Sequence, residues 1–154
     1  MNRIDRRSIT SMVLMACAAF VSAEAGEVTP GIYKRESLTC GGPGSADGPV
    51  SCTLVTEDEM QVVSPAPSNG ARDVSFIVHY GYGEYCRFDG QGTRSKAGRL
   101  LLSSEAASKV KDCQLAIVPG KGSITISDPR GKCVPALCTT ASGRLNGLIF
   151  HNKE

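Results

Sequence analysis

The chain is expected to be all-β: a single disulfide-stapled antiparallel meander, curled into a small barrel or sandwich, with at most one short helix. Three observations predict this. Seventeen Gly and eight Pro punctuate the 154 residues, and the runs between them are short and alternate apolar with polar, as half-buried strands do. Six of the seven cysteines fall beyond residue 25, an even set suited to disulfides in an exported domain. The stretch 26–154 has room for one hydrophobic core and not two.

The elements follow in order. Residues 1–25 read as a secretory signal peptide: Arg3, Arg6 and Arg7 give a cationic start, Met12–Val21 is apolar, and small residues stand at Ala23 and Ala25, either of which suits cleavage. The apolar run falls short of the roughly 20 residues a bilayer span needs. The product is therefore expected in the periplasm or outside the cell. Leu14-Met15-Ala16-Cys17 also resembles a lipobox, which makes a lipoprotein anchored through Cys17 the alternative.

Strands are expected at 32–38, 50–56, 60–64, 73–80, 84–89, 99–103, 114–118, 123–127 and 147–151. Turns are expected at 41–44, 65–70, 90–92, 119–122 and 128–131, where Gly and Pro supply the required backbone angles. The clearest element is the 114–127 hairpin, in which Leu115, Ile117, Ile124 and Ile126 alternate with polar residues. Residues 104–111 suit a helix of two turns at most, with Ser103 or Ser104 as its cap.

Cys40, Cys52, Cys86, Cys113, Cys133 and Cys138 are expected to form three disulfides. Cys40 and Cys52 flank a Gly/Pro-rich loop, and Cys113 and Cys133 flank the strong hairpin, which leaves Cys86 for Cys138. The rival scheme joins Cys133 to Cys138 and Cys86 to Cys113. The cysteine spacing and the lack of a nearby His speak against zinc, so neither a metal nor a cofactor is expected.

Charge excludes a further class. Removing Arg3, Arg6, Arg7 and Asp5 from 17 basic and 15 acidic residues leaves 14 of each. A balanced domain lacks the clustered positive excess of a nucleic-acid binder. The run Glu57-Asp58-Glu59 reads as a solvated tip.

Catalytic signatures are sparse. The sequence contains no G-x-S-x-G, H-E-x-x-H or Walker loop. His79, with Glu84 or Asp89 as its carboxylate, is the one candidate base, and His151 reads as a tail residue. A binding role is favoured over an enzymatic one. Tyr80, Tyr82 and Tyr85 place amphipathic side chains on a Gly-rich bend, and Tyr and Arg are enriched at binding hot spots. Ser142, Arg144 and Asn146 lie in a polar loop tethered at Cys138, which suits a preorganised recognition element.

The framework Asp112-Cys113-x-Leu115, Gly122-x-Ile124-x-Ile126-x-Asp128-x-x-Gly131-x-Cys133, then Cys138, Gly143, Asn146-Gly147 and Phe150 resembles small exported cysteine-rich β domains of Gram-negative bacteria. Some of these are similar to periplasmic lysozyme-inhibitor-like proteins. The resemblance covers residues 83–150 and departs from the usual pattern at Thr139, where Gly typically follows the last cysteine. It implies a small exported β domain and says little about activity; the expected function is an exported envelope module that binds a protein or envelope component, with inhibition of a cell-wall-degrading enzyme as the sharpest form. The alternatives are a small secreted hydrolase using His79 and a purely structural envelope protein.

Overall fold

The structure, a computed structural model, describes residues 26–39, 54–64, 70–81 and 83–153. The expected signal peptide at 1–25, Cys17, the bridge expected between Cys40 and Cys52, and Tyr82 lie outside the described residues. Eight strands form a closed barrel in sequence order: β1 (Gly31–Thr39), β2 (Leu54–Val63), β3 (Ala71–Gly81), β4 (Glu84–Arg94), β5 (Leu100–Ser103), β6 (Leu115–Gly120), β7 (Ser123–Ser127) and β8 (Ile149–Asn152). Every neighbouring pair is antiparallel, and β8 returns to β1 through Tyr33↔Asn152 and Lys34↔His151. Closure leaves no open sheet of the kind that aggregates edge to edge.

Strand alternation fills the interior. Tyr33, Met60, Val62, Val74, Phe76, Val78, Phe88, Ile117, Ile124, Ile126 and Phe150 are all buried and form one core. Phe76 and Phe88 are register partners whose rings stack at 5.4 Å. Below the barrel, the segment before β1 crosses its end. Val28 is buried there, the Arg72 guanidinium donates to the Val28 carbonyl, and it pairs with Glu27 at 2.7 Å.

Four sequence expectations are corrected. The runs 50–56 and 60–64 are not separate strands, because β2 passes unbroken through Glu57-Asp58-Glu59. The acidic run is therefore no solvated tip: Glu57 and Glu59 face outward beside Lys34, while Asp58 faces inward. The expected turn at 90–92 is the middle of β4. Gly90 and Gly92 serve close packing there, since a Cβ would sit 2.3 Å from the Ser103 carbonyl oxygen in the first case and 2.5 Å from Leu100 Cγ in the second. Finally, the described residues hold two short helices and not one. α1 (Glu105–Ser108) is capped by the Ser104 hydroxyl, which accepts from the Ala107 N–H at 3.1 Å. α2 (Val134–Leu137) carries Pro135 in its first turn, where a missing N–H costs nothing.

Two disulfides follow the pairing that the hairpin geometry favoured. Cys113 joins Cys133, and Cys86 joins Cys138. The rival scheme is excluded.

Candidate functional site

The end of the barrel opposite the Val28 segment is polar, and its construction starts with a break in the sheet. The β2–β3 ladder stops at Glu59↔Ile77, and the β3–β4 register slips between His79 and Gly81. Such a bulge bends the strand and re-aims its side chains. Gly81, with φ of 99°, supplies a conformation that other residues rarely adopt.

Asp58 fills the gap. One carboxylate oxygen accepts the backbone N–H of His79 at 2.8 Å and lies 3.1 Å from His79 Nδ1. The other accepts from the Arg35 guanidinium at 3.1 Å. Asp58 is 0 % exposed, so its charge is tolerable only because these donors surround it. The carboxylate beside His79 is thus Asp58, and neither Glu84 nor Asp89 plays that part. Glu84 instead accepts from the Thr140 and Ser142 hydroxyls at 3.2 and 3.3 Å, and Asp89 lies 3.8 Å from Arg87.

Tyr80 is half-buried above this cluster, and its hydroxyl donates to the Arg144 carbonyl. Burial pushes the phenol above its usual value of 10.0, and the Asp58 charge adds to the shift. The bond joins β3 to the 138–147 loop, which is held in several further ways. Thr139 N–H donates to the Tyr85 carbonyl at 2.9 Å, and Tyr85 N–H donates to the Thr139 hydroxyl at 3.0 Å. Gly143 is buried against the Cys86–Cys138 bridge, where a Cβ would meet the two Sγ atoms at 2.8 and 2.9 Å. Leu145 anchors the loop in the core.

The structure therefore gathers part of the expected binding set. Tyr80, Ser142 and Arg144 share one rim. Ser142 and Arg144 are exposed there, and among the described residues the Arg144 side chain makes no hydrogen bond or ion pair. Asn146 does a different job, because its side-chain oxygen accepts the Asp128 N–H at 2.9 Å and holds the base of the loop. Tyr85 is 39 % exposed and points out from the side wall, on the opposite face of the sheet from the inward-facing Cys86 and Phe88.

Sequence reasoning missed Arg35, Asp58 and Glu84 as rim builders. The available signal was parity: once β2 is one strand, Asp58 shares the inward face of Met60 and Val62. Among the described residues, no group of three or more His, Cys, Asp or Glu is placed to hold a metal ion, and no helix is long and apolar enough to cross a membrane. Comparison with protein-family models, curated proteins and solved structures found no match.

Proposed function

We propose that this chain is an exported, non-catalytic binding module of the bacterial envelope, and that the rim carrying Tyr80, Ser142 and Arg144 inhibits a cell-wall-degrading enzyme such as lysozyme. The observation that carries the reading is the Tyr80–Arg144 hydrogen bond, which ties two segments 64 residues apart into one rim. Around it, the Cys86–Cys138 bridge and the Thr139–Tyr85 bonds fix the loop before any partner arrives. A preordered loop loses little entropy on docking, and an exposed arginine without a side-chain partner among the described residues is the kind of residue that becomes a hot spot.

The test is a titration of lysozyme activity with the oxidised chain. Stoichiometric inhibition is expected, and Arg144→Ala should weaken it at least about tenfold, or ~1.4 kcal/mol. Full lytic activity in the presence of excess protein would sink the reading.

A second reading draws on the Asp58–His79 contact. A carboxylate on Nδ1 orients a histidine as a general base, which suits a small secreted hydrolase. Esterase or glycosidase turnover abolished by His79→Gln would favour it. Inhibition that survives His79→Gln would favour the binding module.

A further inference from the structure

On the side wall, away from the rim, Tyr85, Arg87 and Asp89 project from the outer face of β4. Between this face and the two helices runs a groove of about 570 Å³, floored by Ala136, Leu137 and Cys138 and bordered by Glu105 of α1 and by Lys109, its C-cap. A second hollow of about 270 Å³ lies over the outer faces of β2 and β3, with Glu59, Gln61 and Ser75 among its lining. Both hollows are bounded by Arg87 and Asp89, so the two form one band across the wall. We infer that this band is a binding site for a neutral oligosaccharide chain, with Tyr85 as the platform for a sugar ring.

Three features point to that ligand class. The first is charge. Arg87 lies 3.8 Å from Asp89, Lys109 2.7 Å from Glu105, and Lys34 3.9 Å from Glu59. Each charge in the band has a counter-charge beside it. The surface therefore offers many hydrogen-bonding groups with little net field, which suits hydroxyls and not a polyanion. The second is the absence of a free sheet edge. Glu59↔Ile77, Gln61↔Ser75, Ser75↔Asp89 and Ile77↔Arg87 are all laddered, so an extended peptide gains no backbone pairing there.

The third is the rigidity of Tyr85. Both of its backbone polar groups are bonded to Thr139, and the adjacent Cys86 is locked to Cys138. An exposed tyrosine on a fixed backbone gives contact area at low entropy cost. This site adjoins the loop of the proposed inhibitory rim at Tyr85 and Thr139 but does not use Arg144.

The experiment is an amide NMR titration of the oxidised full-length mature chain with chitotetraose, cellotetraose and maltotetraose, each to about 10 mM, a range chosen for a Kd near 1 mM. Saturable shifts confined to β4, α1 and the neighbouring faces are expected for at least one sugar. Tyr85→Ala and Asp89→Ala should each weaken binding at least about tenfold, with the spectrum elsewhere unchanged. Arg144→Ala should leave sugar binding intact, so failure of the inhibitor reading and failure of this one are separable. No saturable shift with any of the three sugars would overturn the inference. So would binding that Tyr85→Ala leaves unaltered, or tetra-alanine occupying the same residues more tightly.

Discussion

Asp58 shows how much one side chain decides at the polar end of the barrel. It replaces a missing rung of the β2–β3 ladder by accepting the His79 N–H, and it holds Arg35 at the same time. Removing it strands a guanidinium and a backbone donor, so Asp58→Ala should cost about 3 kcal/mol of unfolding free energy in urea titrations. Gly143 is the second sensitive position. A methyl there collides with both sulfurs of the Cys86–Cys138 bridge, and Gly143→Ala should destabilise by about 1–3 kcal/mol, read the same way. Tyr80 supplies a test with a pH signature. Its phenol is held above 10.0 mainly by burial, so the neutral donor form is the one that the fold favours. The advantage of wild type over Tyr80→Phe, about 1 kcal/mol for one hydrogen bond, should be complete below pH 10 and disappear as pH rises through the folded value. A difference unchanged at strongly alkaline pH would disprove the raised phenol.

At the scale of elements, β1, β2 and β8 are laced on their outer face by Lys34, Glu57 and Lys153. Glu57 takes Lys34 on one oxygen and Lys153, at 3.2 Å, on the other. The hydrogen bond from Lys34, then that from Lys153, holds the Glu57 carboxyl below its usual 4.5, while Glu57 raises Lys34 above 10.5. A lowered acid stabilises above its unfolded pKa, and that contribution is lost as pH falls through the folded value. Wild type should therefore exceed Glu57→Gln in stability at pH 7 and lose the advantage below about pH 4.5, with added salt shrinking it further. The disulfides act on longer spans. Cys86–Cys138 closes 52 residues and Cys113–Cys133 closes 20, so chain entropy ranks them at about 4 and 3 kcal/mol. Urea midpoints of the two double-alanine variants should fall in that order.

Across the whole molecule, the sequence left the disulfide pairing open between two schemes, which the packed structure decided, and by itself determined the fold class, a short helix within 104–111 and the apolar alternation of the 114–127 hairpin. Each of these rests on local information, since alternation, turn residues and loop length act over a few neighbours. Barrel closure is another matter. It depends on β8 meeting β1 through two residue pairs separated by more than a hundred residues, and no local pattern carries that. The same limit explains the polar end. Tyr80, Ser142 and Arg144 were visible as candidates, but their union, and the assignment of Asn146 to holding the loop base, arise only when β3 and the 138–147 loop pack together. Read locally, three consecutive acids look like a solvated turn. In the barrel, the strand period of two splits them, sending Glu57 and Glu59 to solvent and Asp58 to the interior. That burial is tolerable because Arg35 and His79 arrive from two other strands to meet the charge. A sequence states which side chains can bear charge, whereas only the packed strands decide which of those charges is buried and what neutralises it.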